Sequence, residues 1–213
     1  RCMPSTRIAI PADATVISMT PFVAYYHPTP KGNIGYLRIP HYYWRNPFTN
    51  ANENDMRFLN YEFVIAQLEN NTVGLVIDQT HNCGGSVVMV EKMVALFMDR
   101  AYPGLEFQFL ATRNEYLEMK KSAAALKLTL ASAQLEDLLQ KMREANAKGD
   151  RMTVKTTFHS DAQVQPNLTR YTKPVLTLID ELSGSGGDAF PGLMQGLGRS
   201  KLMGTRTMGA GGH

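Results

Sequence analysis

The sequence predicts an α/β fold, with helices packed against a largely parallel β-sheet. Two observations indicate this fold class. Residues 72–78 (TVGLVID) and 173–181 (KPVLTLIDE) are short, mainly apolar runs of the kind that form strands buried in parallel sheets. Each run leads through a glycine-containing turn into a segment with helical character, which is the order that a strand and its covering helix produce.

The composition fits one sizeable core with an elaboration and excludes several classes of protein. The chain has 213 residues, of which 44% are hydrophobic. Its 22 basic and 19 acidic residues give a net charge of +3 and are spread too evenly to form a nucleic-acid-binding surface. No signal peptide is visible, and no apolar run approaches the roughly 18 residues that a membrane span requires. Cys2 and Cys83 can form at most one disulfide, so they do not fix the redox compartment.

The first half of the chain is predicted to alternate strands and helices. Residues 32–40 (GNIGYLRIP) alternate in character and end at a proline, which is typical of a strand. The polar, aromatic and turn-rich residues 41–55 form a loop. Residues 55–69 form a helix whose apolar positions recur near helical spacing, namely Met56, Leu59, Phe63 and Ile65 or Leu68. The further elements are the strand at 72–78, a helix at 87–99 and a strand at 105–112 (LEFQFLAT).

The second half continues the pattern after a helical insertion. Residues 114–149 are rich in Ala, Leu, Lys and Glu and predict two helices, with Ser132 capping the second and Gly149 ending it. We interpret the insertion as an exposed addition to the core, and a partner-binding arm is the alternative. The remaining elements are a short strand at 153–158, the strand at 173–181, a helix from about Asp188 and a closing strand at 201–207.

Residues 78–86 (DQTHNCGGS) join a buried strand to a helix through paired glycines. In open α/β sheets, sites form beyond the carboxyl ends of the strands. Gly84 and Gly85 let the chain turn sharply and present bare N–H groups, and the helix start adds positive potential. Such a turn can hold an anion, including the oxyanion of an acyl-transfer intermediate. An ordinary strand-to-helix turn is the alternative.

Residues 181–198 (ELSGSGGDAFPGLMQGLG) place a serine among glycines at a second strand-to-helix turn. Ser185 lies between Gly184 and Gly186, where a hydroxyl would be exposed beside the next backbone N–H. Two interpretations stay open for Ser185: a nucleophile, or a cap of the helix that Asp188 also favours. Two such turns on one sheet are a stronger signal than either alone, because acyl transfer needs a nucleophile and an oxyanion site together.

These motifs resemble a known family. The order GNIGYLRIP, GLVIDQTHNCGGS, KPVLTLIDELSGSGGDAFPGLM and GTRTMGAGG is similar to the core of the S41 peptidases, the C-terminal processing and tricorn family, and most similar to its chlamydial protease-like branch. The resemblance implies an α/β fold with a spiral β-α-β core related to crotonase and ClpP, carrying a helical insertion. Residues 1–31 would lead into this core, and residues 32–213 would form it.

The family's site residues carry over onto matching positions. The nucleophile falls on Ser185, and the oxyanion-hole donors fall on the Gly186 N–H and on the turn at Gly84 or Gly85. Cys83 departs from the proline or glycine that this turn commonly has. Bacterial tail-specific members use a lysine in a G-K-G motif, and Ala210 stands at that position, so a Ser–Lys dyad is not expected.

The resemblance therefore implies that the general base lies elsewhere. The tricorn-like branch supplies a histidine upstream of the 32–40 strand and a glutamate downstream of the GTRT strand. We expect both outside these 213 residues, on a longer protease or on a partner chain. His81 is expected to shape the first turn or line the cleft, and its service as the base is the less favoured alternative. The other histidines, His27, His41, His159 and His213, are not candidates for the base.

Two functions from different classes follow. The first is the catalytic core of a serine endopeptidase that forms an acyl-enzyme on Ser185, with His81, Tyr43 and Trp44 as candidate lining of the substrate cleft. The second is an inactive relative that binds peptides or acts as a scaffold. No cofactor is expected, and no His, Cys, Asp or Glu group has metal-ligand spacing. The expected partners are a protein or peptide substrate, remaining segments of the same protease and a second copy in a homodimer, with a secreted or periplasmic location implied by the resemblance.

Overall fold

The computed structural model describes residues 8–45, 49, 51–126, 132–157 and 163–210. It confirms the predicted α/β fold class. The described residues divide into two compact units. The first contains the residues up to Ala101 and from Gln165 onward, and the second is Tyr102–Val164.

The first unit is built on a six-stranded sheet. Its elements before the second unit are β1 (Thr15–Ser18), β2 (Ala24–His27), β3 (Ile34–Arg38), α1 (Asn54–Asn71), β4 (Gly74–Asp78) and α2 (Val87–Ala95). The second unit contains β5 (Tyr102–Pro103), β6 (Glu106–Phe107), α3 (Arg113–Leu126), α4 (Ser132–Lys148), β7 (Thr156–Thr157) and β8 (Gln163–Val164). The first unit then ends with β9 (Val175–Ile179), α5 (Gly186–Gly196) and β10 (Lys201–Gly204).

The sheet order is β1-β2-β3-β4-β9-β10, and the last four strands are parallel. The strands β1 and β2, which sequence analysis did not predict, add an antiparallel edge beside β3. Arg38 at the end of β3 is in register with Asp78 at the end of β4, and Asp78 is in register with Leu178 near the end of β9. The turns that follow these three strands therefore begin at one edge of the sheet.

Helix α1 forms where predicted, but it buries a different face. Met56, Leu59 and Phe63 are 50%, 64% and 59% exposed, so the predicted apolar face is wrong at these positions. The helix buries Ile65 and Leu68, which were among the predicted positions, together with Tyr61 and Val64, which were not. The Tyr61 ring stacks on Phe22 with centroids 3.8 Å apart. Phe22 precedes β2, in the part of the sheet that the sequence pattern did not reveal.

The other two helices of the first unit pack against each other beside the sheet. Helix α2 ends at Ala95, earlier than the predicted Asp99, and its start is capped by the Ser86 hydroxyl, which accepts the Met89 N–H. Helix α5 contacts α2 and buries Phe190, whose ring packs against those of Tyr42 and Phe97. These ring contacts lie on the core side of the turn that begins α5 and hold the start of that helix in place.

The second unit contains the two predicted helices of the insertion, α3 and α4. Gly149 ends α4 with φ +77°, the left-handed conformation that glycine adopts without steric cost. The predicted third strand of the sheet, residues 105–112, is wrong. Only Glu106–Phe107 is a strand, and it pairs with β7 in a separate two-stranded ribbon. The polar Glu106 and Gln108 suit a solvated ribbon better than a parallel strand buried on both faces.

The predicted closing strand is shorter than expected, because β10 ends at Gly204 rather than at residue 207. None of the helices in the described residues combines the length and apolar character that a membrane crossing requires.

Candidate active site

Ser185 occupies a strained turn between β9 and α5. Its backbone has φ 58° and ψ −114°, a region that non-glycine residues rarely occupy and that is enriched at active sites. Ser185 is exposed, whereas Gly184 and Gly186 on either side are buried. It stands at the N-cap position of α5, yet its hydroxyl makes no capping hydrogen bond. The alternative that Ser185 serves as a helix cap is therefore wrong.

The first glycine turn packs directly against Ser185. A Cβ placed on Gly84 would lie 2.7 Å from both the Ser185 Cβ and the Gly184 oxygen, and 2.8 Å from the Gly186 nitrogen. Gly84 has φ +76°, which also disfavours any side chain. The structure thus brings Gly84 against Ser185 and Gly186, which lie about a hundred residues further along the chain.

The hydrogen bonds of the two turns distinguish their N–H groups. The Gly84 N–H donates to Asn82 Oδ1 at 2.8 Å, so it is already engaged. Within the described part of the chain, no acceptor receives the N–H of Gly85 or of Gly186. Gly85 is exposed and has φ +142°, and a Cβ there would lie 2.5 Å from the Tyr42 carbonyl carbon. The N–H groups of Gly85 and Gly186 thus differ from that of Gly84, which has an acceptor within the protein.

Asn82 joins the two turns through hydrogen bonds, a role that sequence analysis missed. It is fully buried. Its side chain donates to the Ile39 oxygen at 2.7 Å and accepts the Gly84 N–H, while its own carbonyl accepts the Gly184 N–H at 3.0 Å. One residue therefore joins the end of β3, the first glycine turn and the serine turn. Its place in the turn that follows a buried strand, two residues before Gly84, was the signal available in the sequence.

A second buried link joins β4 to the start of α5, and it was also missed. Gln79 Oε1 accepts the Tyr42 hydroxyl at 2.7 Å, and Gln79 Nε2 donates to the Gly187 oxygen at 2.9 Å. Both side chains are buried, so these hydrogen bonds are protected from water. The Tyr42 backbone also donates to the Gly84 oxygen at 2.8 Å. The loop after β3 is thereby fixed to both turns.

Asp180 connects the two turns from the end of β9. Its Oδ1 accepts the His81 N–H at 2.8 Å and lies 2.8 Å from the Ser183 Oγ, and its Oδ2 lies 2.5 Å from His81 Nδ1. Burial acts to raise the pKa of Asp180, but hydrogen bonds from His81 and Ser183 outweigh it and lower the pKa. His81 itself is held at φ 55°, with its side chain 43% exposed.

A buried charge network supports the same edge of the sheet. Arg38 donates to the Asp78 oxygens and to the Thr80 carbonyl, which anchors the start of the first turn. The Tyr36 hydroxyl donates to the other carboxylate oxygen of Asp78. Burial, followed by this hydrogen bond, raises the pKa of Tyr36 well above its usual value.

The segment after β10 runs alongside the serine turn. The Met208 N–H donates to the Ser183 oxygen, and the Gly209 N–H donates to Asp188 Oδ1, both at 2.8 Å. A Cβ placed on Gly184 would lie 3.3 Å from the Ala210 Cβ. Position 210, where tail-specific relatives are expected to carry a lysine, thus lies next to the turn and presents only a methyl group.

The aromatic residues after β3 lie beside the first turn. Tyr43 and Trp44 are half-buried, and the Trp44 N–H is fixed to Asn54 Oδ1 at 2.7 Å. The His41 ring packs on Trp44 at 4.1 Å, and burial lowers the pKa of His41. His27 Nδ1 lies 3.0 Å from Asp13 Oδ1.

Two histidines, His159 and His213, lie outside the described residues. Among the residues that are described, no group of three or more His, Cys, Asp or Glu side chains is placed to hold a metal ion.

Comparison with known proteins decides the family. The sequence profile of peptidase family S41 matches residues 33–213. The chain belongs to peptidase family S41. Among solved S41-type structures, mature CPAF in complex with lactacystin matches with a TM-score of 0.69 and 25% identity, over 96% of this chain and 45% of that chain. The predicted resemblance to the family and to its chlamydial branch is confirmed.

Curated relatives in Chlamydia agree with the structural match. A Chlamydia pneumoniae protein is 30% identical over 205 residues, which cover 84% of this chain and 33% of that protein. A Chlamydia trachomatis protein is 26% identical over 202 residues, with 84% and 34% covered. The S41 chain described here therefore spans about a third of the length of these relatives.

Proposed function

We propose that this chain carries the nucleophile and the oxyanion-binding turns of a serine endopeptidase, with Ser185 forming an acyl-enzyme. The observation that supports it most is the packing of Gly84 on a serine that is exposed, held at positive φ and free of a capping bond. A helix cap needs none of these features. A nucleophile needs its hydroxyl presented on a bare backbone beside hydrogen-bond donors.

The first chemical step is attack of the Ser185 oxygen on a peptide carbonyl carbon. The carbonyl oxygen gains negative charge as the tetrahedral intermediate forms, and the N–H groups of Gly186 and Gly85 are proposed as its donors. Gly84 has the supporting role of letting the two turns approach, because its own N–H is bound to Asn82. Loss of one such donor typically costs about 100- to 1,000-fold in rate.

The Ser185 proton is proposed to pass to a histidine that lies in a segment of the parent protein before this core, with a glutamate after the core to orient it. The same histidine would give this proton to the amine that leaves as the peptide C–N bond breaks, and water would then hydrolyse the acyl-enzyme and return the proton to Ser185. The Ala210 methyl group has no proton acceptor, so the base of the tail-specific branch is not available at that position. His81, Tyr43 and Trp44 are proposed to line the cleft that receives the substrate.

A fluorophosphonate probe tests the proposal, because it reacts with activated serines. We expect the full-length parent protein to be labelled, and Ser185→Ala to abolish labelling. Ser18→Ala is the matched control, since Ser18 lies on β1, and it should be labelled like the wild type. Absence of labelling in the wild-type parent, or labelling that survives Ser185→Ala, would contradict the proposal.

A catalytically inactive relative that binds peptides is the second candidate, and Ala210 is the observation that favours it. It predicts that the full-length parent binds peptides but does not react with the probe. The two candidates therefore give opposite results in the same experiment.

A location outside the cytoplasm is part of the proposal, as the family resemblance implies. Association as a homodimer is a further expectation from the family, which sedimentation analysis of the full-length parent would test.

A further inference from the structure

We propose that Asp180 is a positioning residue that holds the two glycine turns of the site in register, with the His81 imidazole orienting its carboxylate. The inference rests on the proposed function only where it connects the relative position of the two turns to acylation of Ser185. The Asp180 carboxylate lies against His81 and Ser183. We therefore assign it a positioning role rather than a chemical one.

One carboxylate oxygen reaches both turns. Asp180 Oδ1 accepts the N–H of His81, which lies three residues before Gly84, and contacts the hydroxyl of Ser183, which lies two residues before Ser185. Because a single atom has both partners, neither turn can shift along the sheet edge without lengthening one of these contacts.

The Ser183 hydroxyl strengthens the connection. Its Oγ lies 2.8 Å from the Gln79 carbonyl as well as 2.8 Å from Asp180 Oδ1, and its single hydrogen can be donated to one of them at a time. It also accepts the Asn82 N–H at 3.4 Å. Donation to Gln79 joins the serine turn directly to the start of the first turn, and donation to Asp180 Oδ1 joins it to the carboxylate that accepts the His81 N–H. Ser183 is fully buried.

The second carboxylate oxygen is held by the His81 side chain at 2.5 Å. His81 therefore contacts Asp180 through both its backbone and its imidazole. This pairing also gives a reason for the positive φ of His81, a conformation that a non-glycine residue adopts only when its surroundings hold it there. The Asp180 carboxylate thus links the strained His81 to Ser183, which lies two residues before the strained Ser185.

The two carboxylate oxygens have separable roles, and this allows a sharp test. Asp180→Asn can keep an oxygen at Oδ1 and place its amide group toward His81 Nδ1, so the link between the turns survives. Asp180→Ala removes it. Asp55→Ala is the matched control, because Asp55 is also a paired carboxylate of the first unit, bound to Lys92 but 90% exposed.

The first measurement is the second-order rate of fluorophosphonate labelling at Ser185 in the full-length parent. We expect Asp180→Ala to slow labelling by about 10- to 100-fold, since small misplacements of reacting groups have effects of this size. Asp180→Asn and Asp55→Ala should stay close to the wild-type rate. Wild-type labelling rates in Asp180→Ala would overturn the inference.

The second measurement does not depend on catalysis. Amide hydrogen exchange in residues 79–86 and 182–187 should accelerate in both segments in Asp180→Ala, and in neither segment in Asp180→Asn or Asp55→Ala. Acceleration in one segment alone would overturn the inference. If the wild-type parent is not labelled at all, the proposed peptidase function fails and the exchange data alone decide the positioning role.

Ser183→Ala is a second, milder variant that tests the inference even if Asp180→Ala does not fold. Ser183→Ala removes only the hydroxyl contact on the serine turn, and it is expected to slow labelling and to accelerate exchange in residues 182–187. Unchanged labelling and exchange in Ser183→Ala would overturn the inference.

Discussion

Gly84 and Ser185 are in such close contact that no side chain fits between them. A Cβ on Gly84 would approach the Ser185 Cβ to 2.7 Å, and the positive φ of Gly84 would strain any other residue. This contact fixes where the Ser185 hydroxyl stands relative to the N–H groups of the first turn. The account of this site as a catalytic centre depends on it.

Gly84→Ala should therefore damage both folding and reactivity. We expect a loss of about 2–5 kcal/mol in the free energy of unfolding, from overpacking and backbone strain, measured by urea denaturation. Labelling of Ser185 should fall at the same time. Gly192→Ala in α5 is the control, because a Cβ there meets nothing within 4 Å, and it should stabilise the protein by about 0.5–1 kcal/mol. Equal stability of the two variants would contradict the packing described.

Asn82→Ala should lower the free energy of unfolding, because it removes a buried side chain that joins the first turn to the end of β3. It leaves the Gly84 N–H and the Ile39 carbonyl without their buried partner, and each such group costs about 1–3 kcal/mol. Urea denaturation would measure this loss. Asn33→Ala is the control, because Asn33 makes one exposed hydrogen bond to the Asn71 carbonyl and should change the free energy of unfolding little. A small effect of Asn82→Ala would show that the turns are held by other contacts.

His81→Asn distinguishes a supporting histidine from a general base. Asparagine tolerates positive φ and keeps the backbone N–H that Asp180 accepts, so the turn should survive. We expect labelling of Ser185 to fall by less than about tenfold, whereas removal of a general base costs about 100- to 10,000-fold. A loss in that larger range, measured on the full-length parent, would identify His81 as the base and overturn the assignment to an external histidine.

The stability of the site should depend on pH through Asp180. Burial acts to raise the pKa of this carboxyl, but the hydrogen bonds from His81 and Ser183 lower it. A lowered pKa means that the ionised form stabilises the folded state above the ordinary carboxyl pKa of about 4, and that this contribution is lost as the pH falls through the lowered value. Urea denaturation from about pH 6 down to about pH 2 should show the stability difference between wild type and Asp180→Asn shrinking at the acid end. A difference that does not change with pH would contradict it.

The sequence predicted the parts of the site that depend on local backbone chemistry. Glycines at 84, 85, 184 and 186 surround sharp turns because only small residues fit there, and this constraint is visible without coordinates. The apolar strands at 72–78 and 173–181 were also predictable from local sequence, because burial on both faces of a sheet leaves a continuous apolar run.

Long-range partners were not predictable from pattern alone. The hydrogen bond from the Tyr42 hydroxyl to Gln79 and the hydrogen bonds that Asn82 makes outside its own turn join segments that are distant in the chain, and no periodicity encodes them. The buried face of α1 was predicted correctly at Ile65 and Leu68 but wrongly toward its start, because Phe22, the partner of Tyr61, precedes a short antiparallel edge with a weak sequence signal. The third predicted strand failed because the polar Glu106 and Gln108 suit a small solvated ribbon better than a parallel strand buried on both faces.

The crystal structure of the full-length parent after reaction with a fluorophosphonate is the most direct measurement. The account predicts phosphorus bonded to the Ser185 oxygen, with the phosphoryl oxygen about 2.7–3.1 Å from the nitrogens of Gly186 and Gly85. A phosphoryl oxygen directed away from both nitrogens, or an adduct on another residue, would contradict it.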